Sequence, residues 1–198
     1  MTRGVSNQSI LFLTKTHIKT RAVISILLEM NFPIDVFIEI EKGSDHKYEY
    51  NHETQTLQLD RVLSPPHVYP FAYGFIPGTR ADDGDELDIL VLTDSVNIPR
   101  NTHQNVYIIG ALLMEDEKGN DEKILTVLAD EYESGRIINI DDLPSETLVS
   151  IQTFFANYKV DEPEKWSRVH GFVHRKYAYH IYEKTLIPKI THLSLELP

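Results

Sequence analysis

From Ile34 onward the chain alternates between apolar and polar residues, and this period of two most limits the folds open to it. Ile34, Val36, Ile38 and Ile40 fall on one face of an extended segment, and Asp35, Phe37, Glu39 and Glu41 on the other. That is the pattern of a half-buried strand. Residues 43–45, Gly-Ser-Asp, turn the chain. Residues 47–50 read as a second strand, with Lys47 and Glu49 on one face and Tyr48 and Tyr50 on the other. A third strand covers 57–63, where Arg61 shares a face with Leu57, Leu59 and Leu63; a guanidinium so placed snorkels at an edge or reaches an internal polar site. Further strands are expected over 87–92, 105–114 (interrupted by Gly110) and 123–128. Strands at this spacing, without helical periods between them, suggest an antiparallel barrel or sandwich.

Between the third and fourth of these strands lies a segment, 64–84, broken by Pro65, Pro66, Pro70, Gly74, Pro77 and Gly78. It is too punctuated for regular structure, yet it carries Tyr69, Phe71, Tyr73 and Phe75; long ordered loops inside a compact domain are usually functional. The period then changes. Pro144 suits the first helical position, and Leu148, Ile151, Phe155 and Tyr158 recur at helical spacing. Residues 166–173 suggest a short extended piece, and Tyr177, Ile181, Thr185 and Leu186 a second helix closed by Pro188. The expected architecture is mainly β with some α: a small β-barrel with two helices packed on it.

Composition narrows the function. The 198 residues carry a formal charge of -11, with 41% hydrophobic and 25% charged residues, values of an ordinary globular chain. An acidic balance argues against nucleic acid, whose phosphates need a Lys/Arg excess, and against anionic membranes. Zero cysteines exclude disulfides, thiolate zinc sites and cysteine nucleophiles. The charge is uneven: Arg3, Lys15, Lys19 and Arg21 face only Glu29 in residues 1–29, so residues 30–198 carry about -14. The apolar runs 10–13 and 22–28 are too short to span a bilayer, which takes roughly 20 residues. Residues 1–29 read as a poorly ordered extension, weakly similar in composition to a mitochondrial presequence, before a single domain over 30–198.

The densest acidic run is Asp82-Asp83-Gly84-Asp85-Glu86-Leu87-Asp88, with Asp88 in phase with Leu90 and Leu92. Like charges this close repel, and burying one unpaired carboxylate costs several kcal/mol. A hard divalent cation, Mg²⁺, Mn²⁺ or Ca²⁺, removes both penalties; a solvated acidic turn is the plainer reading of such a run. An EF-hand fails, because counting from Asp83 its sixth position, which wants Gly, is Asp88. A second acidic run over 115–123 holds Asp116, Asp121 and Lys123; alone it is an exposed hairpin turn. Lys47, Arg61 and Lys159 are the cations a phosphate-bearing substrate would need nearby. His170 and His174 are four apart, but Gly171 lies between them and the stretch looks extended, which speaks against a zinc site.

The segment Asp83-Gly84-Asp85-Glu86-Leu87-Asp88 resembles the D-G-D-x-x-D core of the soluble family I inorganic pyrophosphatases. So do Phe37-Ile38-Glu39-Ile40, Lys47-Tyr48-Glu49, Asp60-Arg61, Tyr69-Pro70, Tyr73-Gly74-Phe75-Ile76-Pro77, Asp116-Glu117 with Asp121 and Lys123, and Tyr158-Lys159 ahead of Trp166, in the family's order. Glu41 departs from the proline common there in bacterial members, and residues 1–29 have no counterpart. The resemblance implies an OB-fold five-stranded barrel with two packed C-terminal helices. It implies Mg²⁺-dependent hydrolysis of pyrophosphate, with several ions bound and Mn²⁺ as a substitute.

The same resemblance implies the roles. Asp83, Asp88 and Asp121 hold the first metal, with Asp88 reaching a second. Asp116 and Glu49 help hold substrate-borne metals, and Glu39 acts through water. Asp85 accepts the proton of the attacking water, and Lys47, Arg61, Tyr73, Lys123, Tyr158 and Lys159 clamp phosphate oxygens. It also implies a homo-oligomer, a hexamer first, in the cytoplasm, or in mitochondria if residues 1–29 act as a presequence. Two readings compete: an OB-fold oligonucleotide binder, which would need a basic groove, and an inactive pyrophosphatase-like binding protein.

Overall fold

The computed structural model describes residues 32–188. The reading of residues 1–29 lies outside them. Among the described residues there are nine strands: β1 (Ile34–Ile40), β2 (His46–Asn51), β3 (Thr56–Val62), β4 (Ala72–Ile76), β5 (Leu87–Val91), β6 (Thr102–Asp116), β7 (Gly119–Asn120), β8 (Lys123–Leu128) and β9 (Ser167–His174). Three helices, α1 (Ala129–Glu133), α2 (Ser145–Asn157) and α3 (Arg175–Thr185), and a 3-10 turn (Ile140–Asp142) complete the described chain.

The strands β1-β4-β5-β8-β6 pair in that order, and β1 also pairs with β6, which closes a five-stranded ring. The barrel is therefore the OB-type ring the resemblance implies. It is not wholly antiparallel: β5 and β8 run parallel, with Ile89 opposite Ile124. β9 lies along the far half of the long strand β6, and β2–β3 forms a separate two-stranded hairpin.

The punctuated segment 64–84 holds a strand after all. All five residues of β4 are buried, and it sits between β1 and β5. Gly74 hid it from pattern reading and also makes it possible. A Cβ there would stand 1.9 Å from the Phe37 carbonyl oxygen, so only glycine lets β1 approach this closely. The alternation in β1 does not run through its end. The β1–β4 register slips between Ile38 and Ile40, a bulge that gives Glu39 no partner of its own. Val36 and Ile38 therefore join one core, and Ile40 joins the other.

Successive residues of the barrel strands feed these two cores. Leu87, Ile89 and Val91 of β5 pack with Val36, Ile38, Ile76 and Ile124 beneath Ala178, Tyr179 and Ile181 of α3. Leu90 and Leu92 pack on the opposite face with Ile40, Tyr69, Tyr73, Leu125 and the α2 residues Ile151, Phe154 and Phe155. Apolar burial of this kind contributes about 25 cal/mol per Å². Both C-terminal helices thus cover the barrel, one on each core, and Pro144 stands just ahead of α2 as its N-cap.

Candidate active site

One face of the barrel carries charge. Phe37, Glu39, Tyr73, Phe75, Asp88, Leu90, Lys123 and Leu125 alternate with the dry-core residues of β1, β4, β5 and β8. With the β2–β3 hairpin and the loops at 82–86 and 158–165, Glu39, Tyr73, Phe75, Asp88 and Lys123 of that face line a cleft of about 320 Å³, while Leu90 and Leu125 lie in the core beneath α2. All thirteen residues singled out from the sequence line the cleft: Glu39, Lys47, Glu49, Arg61, Tyr73, Asp83, Asp85, Asp88, Asp116, Asp121, Lys123, Tyr158 and Lys159.

Within the cleft the charges are laid out as ion pairs. Lys123 is 2% exposed, and its Nζ donates to Asp88 and, at 2.5 Å, to Asp121 Oδ1. Burial alone would depress its pKa; Asp88 and Asp121 more than reverse that, so the ammonium is held charged well above its ordinary value. The pKa of Asp121 also rises, but for a carboxyl that favours the neutral form. Burial pushes it up to about 6, with Asp88 adding repulsion and Lys123 opposing. Lys159 Nζ donates to Asp116 Oδ2 at 2.6 Å and to Glu117 at 3.3 Å. Asp116 is held below the carboxylate range: its burial is outweighed by Lys159 and by the Lys118 N–H, which donates at 2.7 Å.

The hairpin supplies a third group. Lys47 donates to Glu49 and, at 3.0 Å, to Asp60. The register slips between Lys47 and Tyr48, leaving Asp60 as the extra residue on β3 and Arg61 opposite Lys47. Of the two sequence readings of Arg61, the internal polar site is therefore the one observed; of the leucines in its phase, Leu59 is half exposed and Leu63 joins the core. Arg61 Nη1 lies 2.6 Å from Glu162 Oε1 and 3.5 Å from Asp60, while its Nε and Nη2 are buried without a partner. Such donors are costly to leave unpaired and suit an incoming anion.

Three tyrosines pack behind these charges. Burial drives the pKa of Tyr69, Tyr73 and Tyr158 upward, so each keeps its proton as a neutral donor. Glu39, at the β1 bulge, accepts the Tyr50 N–H at 2.7 Å, and burial pushes its pKa up to about 8. Asp83 and Asp85 ride a tight loop. Gly84 has φ of 96°, a left-handed conformation that suits glycine, and the Asp83 carboxylate accepts the Asp85 N–H at 3.1 Å. Asp85 is mostly exposed, 3.6 Å from Lys118.

Sequence reasoning gave no role to the lining residues His52, Asp60, Glu86, Glu117, Lys118 and Lys165, nor to Glu162, which pairs with Arg61. Asp60-Arg61 and Asp116-Glu117 stood beside chosen residues and were the available signal; Glu162 gave none, because its partner is 101 positions away. His170 and His174 lie by different carboxylates, Glu115 at 3.6 Å and Asp141 at 3.4 Å.

The donor set suits a hard divalent cation. Ten carboxylates line the cleft against six Lys and Arg, and Asp88 and Asp121 share one lysine. Among the described residues no three Asp, Glu or His side chains stand grouped at metal-ligand spacing, since the inner carboxylates lean on lysines. The fit is one of charge and donor type.

Barrel and cleft together define an OB-fold enzyme with an ionic site on one barrel face. The family model described as inorganic pyrophosphatase matches residues 36–187. An inorganic pyrophosphatase of Gluconobacter oxydans is 45% identical over 147 residues, covering 73% of this chain and 84% of the relative. One of Thermus thermophilus is 43% identical over 147 residues, covering 73% and 83%. The solved structure of a Helicobacter pylori inorganic pyrophosphatase has a TM-score of 0.75 at 40% identity and covers 78% of this chain and 92% of that one. The chain belongs to the inorganic pyrophosphatase family of enzymes. Among the described residues no helix is long and apolar enough to cross a membrane.

Proposed function

We propose that the cleft hydrolyses inorganic pyrophosphate to two orthophosphates with the help of Mg²⁺, with Mn²⁺ as a substitute. The observation that carries this reading is the convergence of all thirteen residues on one cleft in a chain of this family. Pyrophosphate is a polyanion, and an acidic site cannot accept it unless cations intervene. When bound, Mg²⁺ supplies charge neutralisation and a more acidic water.

Asp83, Asp88 and Asp121 would hold the first ion, and Asp116 and Glu49 those arriving with substrate; Glu39 acts from one layer back, through water. Arg61 receives one phosphate group on its two unpartnered nitrogens. Lys47, Lys123 and Lys159 exchange carboxylate contacts for phosphate oxygens, and Tyr73 and Tyr158 donate without adding charge. Water attacks one phosphorus, its proton passes to Asp85, and the bond from that phosphorus to the bridging oxygen breaks. The departing phosphate keeps the bridging oxygen and its electron pair, stabilised by the same cationic clamp. Positioning and charge neutralisation are most of what phosphoryl transfer needs.

Colorimetric phosphate release from pyrophosphate by the purified protein tests the reading: turnover with Mg²⁺ supports it, and no phosphate at any Mg²⁺ concentration overturns it. A hexamer belongs to the same reading, and light scattering that finds a monomer at micromolar concentration contradicts it.

A further inference from the structure

Among the described residues, the hairpin that brings Lys47, Glu49, Asp60 and Arg61 to the cleft shares no strand pairing with the barrel; backbone bonds between residues 43–44 and Tyr69 hold its base, and side chains hold its middle and tip. At its middle, the Tyr50 N–H donates to Glu39, and the Tyr50 ring meets Phe37 edge-on at 4.9 Å. At its tip stands His52. Its Nε2 lies 3.1 Å from Glu86 Oε1 and 3.2 Å from Oε2, and its ring stands 5.1 Å from Tyr50 and 6.0 Å from Phe75. Glu86 belongs to the acidic loop that carries Asp83 and Asp85, and its side chain is three-quarters covered.

We propose that the His52–Glu86 pair is a tether that fixes the cationic hairpin against the acidic loop, making both positioning residues for the site. The inference rests on the pyrophosphatase reading for its kinetic consequence but not for its structural one. The cleft works only if the Lys47/Arg61 side and the Asp83/Asp85 side stand at a set separation. The loop is braced internally, by the Ala81 N–H to the Asp85 carbonyl at 2.7 Å and by Asp83 to Asp85. The hairpin is braced internally by its own ladder. Between the two, Glu86 meets His52 with both carboxylate oxygens, which restricts sliding as well as separation. A half-exposed pair is worth little to global stability, so its influence is on the hairpin's closed population.

The test compares full-length wild type with His52→Ala, Glu86→Gln, the double variant and His52→Gln, which retains a side-chain N–H donor. His52→Ala is expected to speed amide hydrogen exchange over 51–56 and 82–86. It should raise KM for magnesium pyrophosphate by about threefold, the scale of a surface pair, and more than it lowers kcat. The double variant should be no worse than either single one, and His52→Gln should recover most of the loss. Unchanged exchange over 82–86 in His52→Ala, or two single effects that add in full, overturns the tether. If wild type turns over no pyrophosphate while exchange still accelerates in His52→Ala, the tether stands and the pyrophosphatase reading falls.

Discussion

The two faces of one barrel are built from adjacent residues of the same strands, yet their physics is opposite. On β5, Ile89 is fully buried among Val36, Ile38, Val91 and Ile124. Its neighbour Asp88 points to the other face, to Lys123, and stands opposite Phe75 on β4. The dry face gains from excluding water. The wet face keeps carboxylates in a partly desolvated cleft, where Asp88, Asp121 and Asp116 lean on lysines and Glu39 stays protonated. The difference teaches that fold stability and chemistry are separable here at single-residue resolution: one step along a strand moves from one to the other.

The largest effect expected from breaking this division is on the wet face. Asp85→Asn should lower turnover of pyrophosphate by about a hundred- to ten-thousandfold, the usual worth of a proton acceptor. Its melting temperature should stay within a degree or two, because Asp85 is 75% exposed; a variant that melts much earlier would mean the loop is structural. Next is the converse substitution on the dry face. Ile89→Ala should cost about 2–5 kcal/mol in denaturant unfolding while leaving kcat near wild type in the folded protein. Loss of kcat without loss of stability there would erase the distinction between the faces.

The third effect is a pH dependence, read in stability and not in turnover. In EDTA, Glu39 keeps its proton to about pH 8 in the folded protein, while in the unfolded chain it ionises near its ordinary 4.5. Across that window the folded state binds more protons than the unfolded, so this group's contribution is full below pH 4.5 and is lost as pH rises through 8. Denaturant unfolding at several pH values should show a downward slope that Glu39→Gln flattens; an unchanged slope would assign it to other groups.

Much of the wet face was legible because its chemistry is written in local clusters. The run 82–88 shows in one dimension, and the family resemblance marks the tyrosines and lysines around it. The phase of Asp88 with Leu90 and Leu92 marks it as a carboxylate that needs a partner, and Lys123 is that partner. What stayed hidden depends on pairing partners. β4 is interrupted by Gly74, whose necessity appears only when Phe37 is seen against it. The bulges that free Glu39 and place Arg61 opposite Lys47 are properties of two strands, not one. The short helix α1 has no buried residues and so left no apolar stripe to read. Functional side chains at both bulges fit the general tendency of bulges to re-aim a residue near an active site.

The central claim is that an acidic cleft handles an acidic substrate because divalent cations stand between them. The most direct measurement is the initial rate of phosphate release from pyrophosphate as Mg²⁺ is titrated upward from excess EDTA. The expected result is no release in EDTA and a steep rise in rate as Mg²⁺ becomes free. Equal rates with and without Mg²⁺, or none at any concentration, would contradict it.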